Sequence, residues 1–297
     1  MLSPPANRQS QLKFRMGCAV WAFKDWVGGF YPSGSRSGDF LRLYGERLSA
    51  VEGNTTFYSI PDVATVARWA AATPSQFRFC PKLPRTITHT GLLAPHQTAA
   101  LDFLNRIQGL GQRLGPVMVQ LPPAYSPASL DDLNRFLSAW PRQAAPIAVE
   151  VRHLDWFRPP HEERLNALLT QLGIGRVLLD TRPVYAWEAP QEDPQRHSQR
   201  HKPRVPLQPA VTAPFAIARY IGHPQLNRNI PYLTKWVEHI RQWLNQGAQV
   251  YFFVHCPQEV KSPAIAQRFQ ELLLQAQVPV PPLSWQLETI PEQLTLF

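Results

Sequence analysis

The sequence predicts an α/β fold, a single (β/α)8 TIM-type barrel with a long loop after the sixth strand. Three observations predict it. Eight short apolar stretches have the length and composition of buried strands, most of the intervals between them carry helical periodicity, and most strands end in a polar or charged residue where a loop begins. Alternating strands and helices require parallel strands with crossover helices, and eight repeats in 297 residues fit a barrel better than an open doubly wound sheet. No glycine-rich phosphate fingerprint follows the first strand, which argues against a dinucleotide-binding fold.

In chain order the predicted strands are Phe14 to Ala22, Leu48 to Tyr58, Phe77 to Leu83, Pro116 to Pro122, Pro146 to His153, Arg176 to Thr181, Phe215 to Gly222 and Gln249 to Cys256. PDVATVARWAAAT, SLDDLNRFLSAW, PPHEERLNALLTQLG and NIPYLTKWVEHIRQWLNQG follow the second, fourth, fifth and seventh of them, with apolar residues three and four apart. The barrel is expected over 14–280, after a flexible segment 1–13 and before a tail 281–297. One region breaks the rhythm: from Arg182 to Pro214 the chain is rich in Pro, Gln, Arg and His and has no helical period. Long structureless segments of this kind are active-site loops or disordered insertions. Tyr185 and Trp187 favour a lid, and His197 and His201 are expected to face solvent.

No apolar run approaches the roughly 20 residues needed to span a bilayer, and MLSPPANRQSQLKFRMG lacks the apolar core of a signal peptide. The expectation is a cytoplasmic protein without membrane association. Cys18, Cys80 and Cys256 fall on predicted strands with scattered spacing, which suits small buried hydrophobes rather than a zinc pair or a disulfide framework. Thirty Lys and Arg against 21 Asp and Glu give a net charge of +9, a balance that favours anionic partners, nucleic acid among them.

Alternate residues of a strand face the same way, so Glu52, Asn54, Thr56 and Tyr58 are expected to share an inward face. Glu150 projects with Arg152, while Lys82, Gln120, Asp180, Arg219 and His255 stand at or near their strand ends. All would converge on the C-terminal mouth, where sites of this architecture sit. The alternative is a structural ion-pair layer in which Arg152, Lys82 and Arg219 neutralise Glu52 and Glu150.

WAFKDWVGGFYP, VEGNTTFYSIP, RWAAATPSQFRFCPKLPRTITH, GPVMVQLPPAY, VEVRHLDWF, LLDTRP and HKPRVP resemble successive motifs of domain of unknown function 72, the YecE-like family, from about Gly17 to Pro263. The resemblance implies a TIM-type barrel but no established reaction. Position by position it marks Trp21, Trp26, Tyr31, Glu52, Asn54, Phe57, Tyr58, Lys82, His89, Gln120, Glu150, Arg152 and Arg219. The chain departs from the family pattern at Val254, His255 and Cys256, where an asparagine pair is common.

Glu52 and Glu150 are the candidate catalytic pair, a general acid and base if unequal burial separates their pKa values, as in a hydrolase or lyase. Lys82, Arg152 and Arg219 suit clamping of phosphate or carboxylate, and Trp21, Phe57 and Tyr58 offer flat surface for a ring. Asn54, His89, Gln120, Asp180 and His255 complete the candidate binding set, with His89 a proton carrier near neutral pH. No cofactor is expected. Glu52, Glu150, Asp180 and His255 are acceptable ligand types for a divalent metal, but no histidine spacing enforces one.

The chain ends PEQLTLF, and Gln293, Leu294, Thr295, Leu296 and Phe297 resemble the QL(S/D)LF peptide with which bacterial DNA-processing proteins bind the sliding clamp. Gln293 would fill a polar notch while Leu294, Leu296 and Phe297 enter apolar pockets. The competing reading is a tail folded back on the barrel. The functional readings are therefore a mouth acting on an anionic, ring-bearing ligand, a clamp-associated DNA maintenance factor, and a non-catalytic barrel.

Overall fold

The computed structural model describes residues 13–186 and 202–285. Eight strands follow one another along them: β1 Phe14–Cys18, β2 Ala50–Gly53, β3 Arg78–Pro81, β4 Val117–Gln120, β5 Ile147–Glu150, β6 Gly175–Asp180, β7 Phe215–Ile221 and β8 Gln249–His255. Every ladder is parallel. Six strands form one sheet in the order β1-β8-β7-β6-β5-β4, and β2 pairs with β3. Backbone bonds span the two gaps: the Ser49 N–H donates to the Met16 carbonyl at 3.1 Å, and between β3 and β4 the Gly115 N–H donates to the Phe79 carbonyl at 2.7 Å and the Leu83 N–H to the Met118 carbonyl at 3.0 Å.

The β1–β2 gap has a local cause. The Tyr44 hydroxyl, from the helix Phe40–Arg47, accepts from the Cys18 N–H at 2.6 Å and lies 3.0 Å from the Ala50 carbonyl, relaying a bond that a regular ladder would make directly. Gly17 leaves room for the close approach, because a Cβ there would fall 1.9 Å from the Ala50 carbonyl oxygen.

Helices follow the strands where the periodicity places them, including Val63–Ala71, Leu130–Ser138, His161–Leu172 and Ile230–Asn245. Asp62 caps the first, accepting from the Thr65 N–H at 2.6 Å, and Gly173 ends the third at φ 64°. Their apolar faces cover the outward residues of the strands: Trp236 packs edge-on to Phe252, whose ring lies 4.3 Å from that of Phe269. Fully burying one such ring stabilises the fold by about 2 kcal/mol.

Inside, one apolar layer draws on seven strands: Ala50, Cys80, Met118, Ala148, Val177, Phe215 with Ile217, and Tyr251 with Phe253. Two residues further along come Glu52, Lys82, Gln120, Glu150, Leu179, Arg219 and His255, since side chains alternate with a period of two.

The predicted second strand, Leu48 to Tyr58, is too long. Its chain turns at Asn54, whose N–H folds back to the Glu52 carbonyl at 2.9 Å, and Thr55–Tyr58 is a helical turn. Asn54, Thr56 and Tyr58 therefore do not extend the face of Glu52. After β6, the Tyr185 hydroxyl donates to the Lys202 carbonyl and the Thr181 hydroxyl to the Pro203 carbonyl at 3.2 Å. Trp187, His197, His201, most of the predicted N-terminal segment and Gln293 to Phe297 lie outside the described residues. Among the described residues no helix is long and apolar enough to cross a membrane.

Candidate functional site

The polar layer is a connected ion network at the C-terminal strand ends. Arg219 is its hub: Nε and Nη2 donate to Glu52 Oε2 and Oε1 at 2.7 and 2.8 Å, and Nη1 donates to Glu150 Oε2 at 2.6 Å. Lys82 Nζ reaches Glu52 Oε1 at 2.7 Å and donates to Gln120 Oε1 at 3.0 Å. Arg152 Nε donates to Glu150 Oε1 at 2.7 Å. His255 Nε2 lies 2.6 Å from Glu52 Oε2, and because an ionised carboxylate only accepts, that nitrogen carries the proton. Glu52, Glu150, Lys82, Arg219 and His255 are all buried.

Burial alone would raise both carboxyl pKa values. Arg219, His255 and Lys82 reverse it at Glu52 and hold that group well below the usual range; Arg219, Arg152 and Lys82 bring Glu150 down to about 2. Both groups are therefore ionised near neutral pH. Their pKa values are displaced in the same direction, so neither is the proton donor that an acid/base pair needs. Burial outweighs the Glu52 contact at His255, bringing it to about 4, and the ring is neutral. Burial, then Arg219, pull Lys82 down to about 8 despite its ion pair with Glu52.

The remaining predicted residues take different places. Phe57 is buried beside the network, its ring 5.9 Å from Lys82 Nζ and 5.1 Å, edge-on, from His89. Burial, then Arg152, lower the His89 pKa, and its Nδ1 is 2.9 Å from the Thr88 hydroxyl. Tyr58 stands outside, 73% exposed and edge-on to Phe57. Asn54 ties two strand ends together, donating from Nδ2 to the Ala19 carbonyl at 3.0 Å. The Trp21 ring packs against Trp69 and Phe79, 5.2 and 6.1 Å away, within the layer between helix and strand.

Asp180 does not join the mouth. It pairs in register with Tyr220, whereas its neighbour Leu179 pairs with the inward Arg219, so Asp180 faces the helices. There it accepts from Trp236 Nε1 at 2.8 Å and from Arg182 Nε and Nη2 at 2.9 and 2.8 Å. The four-residue metal set of Glu52, Glu150, Asp180 and His255 consequently does not assemble, and among the described residues no three His, Cys, Asp or Glu side chains group as metal ligands.

Two residues escaped the sequence reading. Lys202, from the loop after β6, is placed where Arg219, Glu52, Arg152 and Glu150 all act on its charge; burial, then Arg219, lower its pKa. Glu259, beyond β8, is pushed up to about 8, chiefly by burial. HKPRVP and HCPQEV contain them, but neither stands at a strand end, the signal used for the others.

The model of the family described as "Protein of unknown function DUF72" matches residues 15–288. UPF0759 protein YecE of Escherichia coli strain K12 is 34% identical over 283 residues, covering 95% of this chain and 99% of the relative. Among solved structures, a DUF72 family protein of Thermotoga maritima MSB8 superposes with a TM-score of 0.65 at 20% identity, covering 88% of this chain and 99% of that one. One from Enterococcus faecalis V583 gives the same TM-score and identity, with 88% and 97% covered. These likenesses show a shared fold, which in this chain is α/β with parallel strands.

Proposed function

The chain belongs to the DUF72 family, and from that premise we propose that its strand ends are the mouth of one closed (β/α)8 barrel that binds an anionic, phosphate- or nucleotide-like ligand. One observation carries the reading. Four cations, Lys82, Arg152, Lys202 and Arg219, share the mouth with two ionised carboxylates, Glu52 and Glu150. Buried charge is costly unless compensated, and here the uncompensated part is positive. Burial is the larger cause of the lowered pKa at Lys82 and Lys202, and Arg219 adds to it at both.

Closure of the barrel is supported by the interior layer that seven strands share and by the Ser49–Met16 and Leu83–Met118 bonds across the gaps. Glu52 and Glu150 serve as fixed counter-charges that orient Arg219. Phe57 borders Lys82, with the exposed Tyr58 edge-on to it, and the two rings suit a ring attached to the anion. A cavity of about 400 Å³ is lined by Leu154, Phe157, Arg158, Arg204, Val205 and Pro206, residues that follow β5 and β6.

The reading is tested by calorimetric titration of the full chain with inorganic phosphate, sulfate and nucleoside monophosphates. Binding that weakens at least tenfold, about 1.4 kcal/mol, in Arg152→Met supports it. Absence of binding to any of these anions at millimolar concentration would return the network to a structural role.

A further inference from the structure

Resting on the reading of the mouth as an anion site, we propose that the cleft between the loops after β5 and β6 is a second phosphate subsite. There Arg158 and Arg204 hold the terminal phosphate of a nucleoside polyphosphate whose first phosphate lies at the ion network. The cleft is the cavity of about 400 Å³, with Leu154, Phe157 and Arg158 on one wall and Arg204, Val205 and Pro206 on the other.

Contacts join the two walls to each other and to the mouth. Gln208, a few residues beyond Arg204, donates from Nε2 to the Phe157 carbonyl at 3.1 Å. The second wall is fastened to the end of β6, where the Pro203 carbonyl accepts from the Thr181 hydroxyl at 3.2 Å and the Lys202 carbonyl from Tyr185. Val205 is buried in one apolar cluster with Leu179, Val184 and Ile221, and Phe157 packs against it. Leu179 is the register partner of Arg219, the hub of the network. On the first wall, Arg152, bonded to Glu150 at 2.7 Å, precedes Leu154 by two residues, a span of at most about 7 Å. A short chain of phosphates therefore reaches from the network to the cleft.

Charge complementarity names the occupant. Among the described residues no carboxylate pairs with Arg204, whose guanidinium carbon lies 5.4 Å from the centroid of the Tyr185 ring. Stacking orients a guanidinium and leaves the donors in its plane available to an oxyanion. Arg158, on the opposite wall, has Nη1 3.1 Å from Asp155 Oδ1, and Asp155 Oδ2 lies 3.7 Å from His153 Nδ1. Two guanidiniums against one carboxylate leave a positive charge over. A terminal phosphate offers three acceptor oxygens, enough to meet arginines on two walls, whereas the two oxygens of a carboxylate match a single fork.

The measurement is calorimetry on the full chain with adenosine monophosphate and adenosine triphosphate, in EDTA to keep metal ions off the phosphates. The triphosphate should bind at least about tenfold tighter than the monophosphate. Arg204→Met should weaken the triphosphate at least about fivefold and the monophosphate less than about twofold, with Arg204→Lys restoring only part of the loss because it lacks the planar fork. Arg158→Met/Arg204→Met should bring the triphosphate down to the affinity of the monophosphate. Both side chains are exposed, so folding should survive these changes. Arg152→Met, in the mouth, should weaken both nucleotides alike. Triphosphate binding indifferent to Arg204→Met, or equal losses for the two nucleotides in that variant, would overturn the cleft subsite and leave the anion site standing. No binding of either nucleotide by the wild type would overturn both.

Discussion

Arg219 binds Glu52 through two parallel hydrogen bonds, Nε to Oε2 at 2.7 Å and Nη2 to Oε1 at 2.8 Å, across 167 residues of sequence. This planar fork fixes β7 against β2 and leaves Nη1 for Glu150. Glu52→Gln removes the charge on which Arg219, Lys82 and His255 all depend. It should destabilise the protein by about 3–5 kcal/mol, because breaking one partner leaves buried cations uncompensated. Urea unfolding checks it, and Glu52→Gln/Arg219→Met should cost less than the sum of the single changes.

Acid should act on the same network in a defined order. A group whose pKa is lowered on folding contributes stability above its unfolded value, which is lost as pH falls towards the folded one. His255, at about 4, loses its share between pH 6.5 and 4; Glu150, at about 2, loses its share between 4.5 and 2. Each shift corresponds to about 3 kcal/mol. Glu259, raised to about 8, has the opposite sign: its stabilisation is present below pH 4.5 and is lost as pH rises through 8. Between pH 6.5 and 4.5 these opposite contributions nearly cancel, so the thermal midpoint in a chloride buffer should begin to fall only near pH 4.5, and in His255→Gln it should rise as pH falls from 6.5 to 4.5 before it drops.

Tyr44→Phe tests the β1–β2 join. Its hydroxyl serves both the Cys18 N–H and the Ala50 carbonyl in a buried place that the phenylalanine ring fills without a polar atom. Leaving two buried backbone groups unpaired should cost about 2 kcal/mol or more. The loss is expected in urea unfolding, with faster amide exchange at Cys18 than in the wild type.

Much of this site is legible because strands keep a period of two. Glu52, Lys82, Glu150 and Arg219 each stand two residues beyond a small or apolar residue, Ala50, Cys80, Ala148 and Ile217, that points into the interior. Asp180 was misplaced because VLLD is apolar on both faces, as strands covered on both sides are, so nothing in it tells inward from outward. Asn54, Thr56 and Tyr58 looked like a continued strand because Thr, Phe and Tyr favour strands, and the turn that interrupts them depends on the tertiary bond from the Asn54 side chain to Ala19. Lys202 and Glu259 lie in loops, whose side-chain directions come from long-range contacts such as those of Tyr185 and Trp26.

Tyr58 separates ligand recognition from stability. It is 73% exposed, so Tyr58→Ala should change folding stability by no more than about 0.5 kcal/mol. If its ring stacks on the ligand, nucleoside monophosphates should lose about fivefold or more in affinity, the scale of one aromatic contact, while inorganic phosphate is unaffected. Equal losses for both would place Tyr58 outside ring recognition.

The last five residues, Gln293 to Phe297, carry a prediction that rests on sequence alone. A peptide that docks a glutamine in a polar notch and two apolar side chains in a pocket gains little beyond those anchors, so micromolar affinity is expected. Titration of the full chain against a bacterial sliding clamp should show it, and deletion of 293–297 should abolish it without moving the thermal midpoint, because such a peptide would contribute nothing to the barrel's own core. If the deletion instead lowers the midpoint by several degrees and the full chain does not bind the clamp, Leu296 and Phe297 belong to the fold. The positively charged mouth would then be sought among small anions rather than on DNA.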